Sequence, residues 1–122
     1  MRDDTFDIRV SVPSTLAAGR NIFQNGLQGW GCGNVVDMVL VFGELVTNAT
    51  VHTAAASTMV ITHVPPNVRI AVHDSSHVIP ELRHDTRRGG FGLRIVSQLS
   101  DSWGWDHTPA GKVVWSITRC GH

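Results

Sequence analysis

The chain has 122 residues, a length that suffices for one domain with a hydrophobic core of its own. Its ten basic and ten acidic side chains give a formal net charge of zero, which supports neither a nucleic-acid partner nor a polybasic membrane surface. No apolar run is long enough to span a bilayer, and the polar N-terminus has no apolar core of a signal peptide, so we expect a cytoplasmic protein.

The first part of the chain shows one strand pattern followed by two helix patterns. Residues 6–12 alternate between apolar and polar side chains, which predicts a half-buried strand that Pro13 ends. Apolar residues then recur at helical spacing as far as Trp30, and a longer apolar run over residues 35–51 predicts a second helix. Asn34 directly precedes this run and is expected to cap it.

The rest of the chain has the pattern of two hairpins separated by a loop and a short helix. Residues 58–64 and 68–74 are rich in β-branched side chains and flank a proline turn, which predicts the first hairpin. Residues 75–88 show no periodicity, and loops of that length are often functional lids. The pattern is completed by a short amphipathic helix and a second hairpin, over residues 93–99, 103–107 and 112–118.

The predicted order of elements is therefore β-α-α-β-β-α-β-β. Because hairpins dominate, we expect a mixed, mostly antiparallel sheet that three helices cover on one face, which is an α+β two-layer sandwich. No repeat or linker divides the chain, so a single domain over residues 1–122 is predicted, with its core at about residues 6–118. Cys32 and Cys120 have no metal-type spacing, and in a reducing compartment we expect both to be free thiols.

The long second helix carries a polar strip in apolar surroundings. Winding the run at about 100° per residue gathers its polar side chains on one narrow face, namely Asp37, Glu44, Asn48 and His52. The residues expected to press against this face from its flanks are Val36, Leu40, Val41 and Val51. An unpaired carboxylate is costly there, so Glu44 needs a metal ion, a phosphate group with its metal, or a buried partner. The simplest partner is an ion pair with Arg20 or Arg94.

Two further features can join this strip. The inward-facing series of the first hairpin ends in Asp74, which accepts hydrogen bonds only and therefore suits an exocyclic amine such as that of adenine. Residues 89–92 form a glycine-rich turn before a helix, which favours close approach of backbone N–H groups to phosphate. Asn48 offers a neutral oxygen to Mg²⁺, whereas no second His or Cys lies at a zinc spacing around His52. Each signal is weak by itself, because the glycine turn matches neither a Walker loop nor a dinucleotide fingerprint.

Together these motifs resemble the GHKL ATPase superfamily, whose nucleotide-binding domain is the Bergerat fold. Within it, the chain looks most like the small bacterial anti-sigma-factor serine kinases and related ATP-binding regulators. The resemblance rests on the N box, the adenine-binding aspartate motif, the glycine-rich lid and the terminal motif, at residues 44–52, 74–76, 88–93 and 111–115. Four motifs in this order are far more specific than any one of them, and the resemblance covers roughly residues 6–118, almost the whole domain.

Carried over by position, the resemblance implies a role for each matched residue. Glu44 would be the general base that activates a substrate serine hydroxyl, and Arg88 would lie near the γ-phosphate of ATP. Asn48 would coordinate the Mg²⁺ that bridges the phosphates, and Asp74 would bind the adenine amine. The other residues expected to contact the nucleotide lie in the last two motifs, namely Gly90, Phe91, Gly92, Leu93 and Lys112.

One departure from the family pattern concerns the terminal motif. A threonine there often helps to bind adenine through a water molecule, and Val113 is assigned to its place. The loss of that hydrogen bond would weaken nucleotide binding by about 1 kcal/mol.

The resemblance implies an ATP-dependent protein serine/threonine kinase that acts as an anti-sigma factor. Such a protein would bind a sigma factor, phosphorylate an anti-anti-sigma partner and form a homodimer, as kinases of this type often do. Two alternatives stay open at this point. One is a non-catalytic ATP-binding regulatory module that acts through a protein partner, and the other is an interaction domain that has lost nucleotide binding.

Overall fold

The elements follow one another in the predicted order. The computed structural model describes four stretches of backbone, residues 4–10, 16–52, 57–75 and 93–121. They contain β1 (Asp4–Val10), α1 (Leu16–Gly29), α2 (Val35–His52), β2 (Ser57–Val64), β3 (Asn67–Asp74), α3 (Arg94–Leu99), β4 (Ser102–Thr108) and β5 (Gly111–Arg119). The described ends differ from the predicted ones by one or two residues, and the predicted end of the first strand, residues 11–12, lies outside the described part.

The five strands form one sheet in the order β1-β2-β3-β5-β4. Each neighbouring pair of these described strands is antiparallel, so this part of the sheet is purely antiparallel rather than mixed as expected. α2 packs against both other helices and against β2, β3 and β5. The predicted α+β sandwich of one sheet and one layer of three helices is confirmed. None of the described helices is long and apolar enough to cross a membrane.

The core lies between α2 and the inner face of the sheet. Consecutive residues of a strand face opposite sides, so the buried residues Val68, Ile70 and Val72 of β3 form one inward-facing row. The predicted core side of α2 is confirmed by buried side chains that include Met38, Phe42, Leu45, Val46 and Ala49. α1 joins this core through Phe23, whose ring stacks on Phe42 with centroids 5.1 Å apart. Burial of each large side chain contributes about 1.5–3 kcal/mol relative to its exposure.

One flank of α2 is more open than its sequence indicates. Val36 is 75% exposed and Leu40 is 47% exposed, so the expectation that they press against the polar face is wrong. A two-layer fold has only one inner side, and an apolar residue on the outer side of its helices has no further layer to pack against. These two side chains therefore leave an apolar surface beside the polar strip.

The C-terminal end of β5 is fixed to the turn between α1 and α2. A disulfide joins Cys32 to Cys120, whose Cα atoms lie 4.8 Å apart, and both residues are buried. Asn34 links the same two segments, because its Nδ2 donates to the Arg119 carbonyl and its Oδ1 accepts from the Gly121 N–H, each at 2.9 Å. We call the disulfide and these Asn34 contacts the C-terminal clip.

The clip corrects two predictions. Cys32 and Cys120 are bonded rather than free, because β5 returns the chain to the α1–α2 turn across a sequence separation of 88 residues. Disulfides are rare in reducing compartments, so the cysteines no longer support the expected cytoplasmic location. Asn34 does precede α2, and its carbonyl accepts the Met38 N–H, but its side chain binds the C-terminal segment instead of capping the helix.

We expect the disulfide to contribute about 2–4 kcal/mol to the free energy of unfolding, because a cross-link over a long loop restricts the unfolded chain. The double variant Cys32→Ala, Cys120→Ala should therefore unfold at a lower urea concentration than the oxidised natural chain, as followed by circular dichroism. The natural chain with reductant is the matched control and should unfold like the double variant. Alkylation of both thiols in the urea-unfolded natural chain without reductant would show that the bond does not form.

Candidate functional site

The second half of α2 carries the polar groups that the sequence singles out. Glu44 and Asn48 are four residues apart and therefore share a face of the helix. Glu44 is half-buried and Asn48 is buried, whereas Asp37 in the first turn is exposed. The side chain of His52 lies outside the described side chains, so its place in the strip stays a prediction.

The Glu44 carboxylate is partly desolvated, and no arginine among the described residues pairs with it. Its Oε2 atom is buried and accepts no hydrogen bond within the part of the chain that the structure describes. Burial raises the pKa of the Glu44 carboxyl above its ordinary value near 4.5, because desolvation disfavours the charged form. Among the described side chains, neither Arg20 nor Arg94 forms a salt bridge with Glu44, and the ion-pair interpretation is not supported.

Glu44 opens onto a surface pocket between α1 and α2. The pocket has a volume of about 360 Å³ and is lined by Arg20, Val39, Leu40, Gly43, Glu44 and Thr47. A second pocket of about 200 Å³ shares Val39 and Leu40 with it, so a groove continues along α2 toward the exposed Val36. Asn48 and Asp74 line neither pocket. Glu44 is thus reached from outside through a largely aliphatic opening.

Asn48 presents a buried oxygen that no described residue satisfies with a hydrogen bond. Its Oδ1 atom receives no hydrogen bond from the described residues, and such an unsatisfied acceptor costs about 1–3 kcal/mol. A cation would satisfy it, and an amide oxygen is a ligand that Mg²⁺ accepts. In the described ranges, no group of three or more His, Cys, Asp or Glu side chains could hold a metal. A Mg²⁺ at Asn48 would therefore take most of its ligands from water and phosphate, as this ion usually does.

Asp74 ends β3 on the inner face of the sheet and is paired with a lysine. The β3–β5 register places it opposite Lys112, and Lys112 Nζ donates to Asp74 Oδ1 at 3.0 Å. Asp74 is 6% exposed and Lys112 is 1% exposed, so the ion pair is shielded from water. The inward position of Asp74 at the strand end is as predicted, whereas its pairing with Lys112 is not. Lys112 therefore contacts the proposed purine-binding carboxylate directly.

Gly111 allows the start of β5 to meet the end of β3 closely. A Cβ atom at this position would lie 2.7 Å from both the Cα and the carbonyl carbon of Ser75, a separation that real side chains do not tolerate. The Gly111 N–H donates to Thr108 Oγ1 at 3.0 Å, which fixes the turn before it. The sequence analysis missed this requirement, although a glycine that opens a strand after a tight turn is a signal of close backbone approach.

Val113 does not lie beside Asp74. Consecutive strand residues face opposite sides, so the side chain of Val113 points away from the face that holds Lys112. In the register Val113 lies opposite the exposed His73. A threonine at position 113 would direct its hydroxyl away from Asp74. The assignment of Val113 to the adenine-binding place is therefore wrong, and the expected weakening of nucleotide binding does not follow from it.

The remaining predicted site residues belong to the glycine-rich lid. Arg88, Gly90, Phe91 and Gly92 lie outside the described residues, and their roles stay predictions. Leu93 is described, and its side chain is fully buried in the core just before α3. Only the backbone of Leu93 is therefore available to a ligand.

The raised pKa of Glu44 predicts how stability depends on pH. The folded chain keeps the Glu44 proton to a higher pH than the unfolded chain, so this residue lowers stability as pH rises from near 4.5 through the folded-state pKa. Glu44→Gln should therefore have a higher free energy of unfolding than the natural chain at about pH 7–8, and the gain should vanish below about pH 4. Urea denaturation across this range measures the difference.

The matched control is Asp37→Asn, which removes an exposed carboxylate from the same strip of α2. This variant should give no gain in stability at neutral pH, because Asp37 favours the helix N-terminus. Equal pH dependence of stability in the natural chain and Glu44→Gln would contradict the burial of an unpaired carboxyl at this position.

Comparison with known proteins gives the family of this fold and site. No curated protein matches the chain significantly. The family model of the histidine kinase-like ATPase domain matches residues 10–118, which run from the end of β1 to β5 and include Glu44, Asn48 and the Asp74–Lys112 pair. ATP is therefore the ligand class that the family implies. The chain belongs to the histidine kinase-like ATPase domain family.

Proposed function

We propose that this chain is an ATP-dependent protein serine/threonine kinase of the anti-sigma-factor type, with an anti-anti-sigma protein as its phosphate acceptor. The observation that carries this proposal is the state of Glu44. Its carboxyl group is half-buried, has a raised pKa, and lines a pocket that is open to a second molecule. Family membership supports ATP as the phosphate donor. The Glu44 pocket offers an acceptor hydroxyl a route to the carboxylate.

Glu44 is suited to accept a proton. A general base is most effective when its pKa lies near the working pH, and desolvation moves the Glu44 pKa in that direction. In the proposed reaction, Glu44 takes the proton of the acceptor hydroxyl while that oxygen bonds to the γ-phosphorus of ATP. The bond to the β–γ bridging oxygen breaks, and ADP leaves with its electron pair. Arg88 in the lid is proposed to neutralise charge on the transferred group, as the resemblance implies.

Asn48 fits the metal ion that this chemistry requires. Its buried Oδ1 lacks a described donor, and it lies one turn from Glu44 on the same face of α2. When it is bound, Mg²⁺ neutralises negative charge on the phosphate oxygens. Asn48 would hold the ion on the side of α2 where Glu44 meets the acceptor, so one helix would position both the metal and the base.

The aliphatic surface beside Glu44 favours a protein as the acceptor. Leu40 lines the Glu44 pocket, and Val36 extends the same surface along α2. A partner that covers these exposed side chains removes apolar surface from water, at about 25 cal/mol per Å². We propose an anti-anti-sigma protein as the acceptor and a sigma factor as the second partner.

Phosphoryl transfer from Mg-ATP to purified candidate acceptor proteins tests the proposal. Glu44→Ala should lower the transfer rate by about 10²- to 10⁴-fold, which is the usual contribution of a general base. The same variant should bind ATP like the natural chain in calorimetry. Asn48→Ala should instead lose the dependence of ATP binding on Mg²⁺, because it removes the proposed metal ligand.

Asp37→Ala is the matched control for these variants, because it removes an exposed carboxylate of the same helix face and should leave transfer unchanged. Retained transfer in Glu44→Ala would refute the assigned role of Glu44. Tight ATP binding by the natural chain without transfer to any acceptor would instead identify a non-catalytic ATP-binding regulator. Absence of any ATP binding would support the remaining alternative, an interaction domain that has lost nucleotide binding.

A further inference from the structure

Lys112 is the only lysine among the 122 residues, and it is buried in an ion pair. Lysine is almost never fully buried unless it is paired. Even a paired one loses much hydration, so replacing a buried ion pair by apolar side chains is often neutral or stabilising. Stability therefore does not explain why the chain keeps Lys112 and Asp74 at these positions.

The pair lies where the apolar inner face of the sheet ends. Val72 and Val114 are the next residues on the same face, lie opposite each other in the register, and are both buried. Beyond the pair, Gly111 brings the start of β5 against the end of β3. The ion pair thus has an aliphatic surface on one side and the end of the sheet on the other.

The two charged groups present a donor beside an acceptor. Lys112 Nζ carries three N–H donors, of which one is directed to Asp74 Oδ1 at 3.0 Å. An ionised carboxylate such as that of Asp74 has two oxygens and can accept several hydrogen bonds at once. Adenine has the matching edge, because its exocyclic amine donates and the adjacent ring nitrogen N1 accepts.

Resting on the proposed use of ATP, we propose that Lys112 is a base-selecting residue that donates to N1 of the adenine whose amine Asp74 binds. Guanine and hypoxanthine are disfavoured in this orientation. Their O6 acceptor would face the Asp74 carboxylate, and their N1–H donor would face the Lys112 ammonium group. The base would then be recognised at two points, its amine by Asp74 and its N1 by Lys112, whereas a carboxylate alone recognises only the amine.

Nucleotide analogues test this contact on the natural chain. Calorimetric titration with Mg²⁺ compares ATP with 1-deaza-ATP, which keeps the amine and lacks the N1 acceptor. The analogue should bind about tenfold to a hundredfold more weakly, as expected for a hydrogen bond from a charged donor. The matched control is 7-deaza-ATP, which lacks a nitrogen on another edge of the base and should bind like ATP.

The variant Lys112→Met assigns the effect to the lysine. It keeps an unbranched side chain without a donor, so the affinity ratio of ATP to 1-deaza-ATP should fall to about one. An unchanged ratio would overturn the proposal, as would tighter ATP binding by Lys112→Met, because the lysine would then obstruct the base. Failure of the natural chain to bind ATP at all would refute the proposed function itself and this inference with it.

A second measurement needs no variant, since Lys112→Met leaves a buried carboxylate without its partner and can prevent folding. Labelling with ¹⁵N-lysine gives a single side-chain ammonium signal, because the chain has one lysine. ATP should shift this signal strongly, whereas 1-deaza-ATP at saturation should shift it much less. Equal shifts with both nucleotides would overturn the proposed contact with N1.

Discussion

The register between β3 and β5 is the constraint on which the candidate site depends. Ile70 and Val72 must face α2 to be buried, and Asp74 then lies on the same face because side chains repeat with a period of two. Val114 is opposite Val72, which leaves Lys112 opposite Asp74. A slip of one residue would turn every side chain of β5 to the other face and separate the two charges. The burial of valine and isoleucine thus positions the polar chemistry.

Besides the Asp74–Lys112 pair, the molecule has other polar groups whose burial does not contribute to the free energy of unfolding. Glu44 and Asn48 each keep a buried oxygen without a donor among the described residues, and Lys112 gives up its hydration for one carboxylate. Unsatisfied buried polar atoms cost about 1–3 kcal/mol each, and replacing a buried ion pair by apolar side chains is often neutral or stabilising, so such groups weigh on a net stability of only about 5–15 kcal/mol. Local rules of folding are usually broken where binding or catalysis requires it. These three residues come from elements that pack on one another, which makes a shared purpose the simpler account.

Much of this architecture could be predicted from local periodicity, but the contacts between segments that lie far apart in the sequence could not. Hairpin patterns and the apolar run of α2 are local, and they gave the element order and the face that Glu44 and Asn48 share. The Cys32–Cys120 bond joins segments 88 residues apart, and no spacing rule points to it. The exposure of Val36 and Leu40 could not be predicted for a related reason. Periodicity indicates which side of a helix is apolar, but it does not show how much of that side the neighbouring elements cover.

β5 shows why pattern alone fails at the most informative position. Its inner face holds the buried polar residues Lys112, Ser116 and Thr118 around Val114, whereas its outer face holds Val113, Trp115 and Ile117. A hydrophobic pattern therefore favours the wrong face. Tertiary context overrides it, since Trp115 packs over Gly104 on the outer face, where a Cβ at position 104 would lie 2.7 Å from the indole ring. The same ambiguity between the two faces of β5 explains why the motif pattern favours Val113, rather than Lys112, for the place beside Asp74.

The clip and the candidate site occupy opposite ends of the same two elements. α2 begins at the clip with Asn34, and Asn48, fourteen residues later, is about 21 Å along the helix at 1.5 Å per residue. β5 ends at the clip with Cys120, and Lys112, eight residues earlier, is about 26 Å away at 3.3 Å per residue. α2 packs against β3 and β5, and these lengths place both Asn48 and the Asp74–Lys112 pair far from the clip. The clip therefore fixes one end of the helix and one end of the strand, and the polar groups of both elements lie toward their other ends.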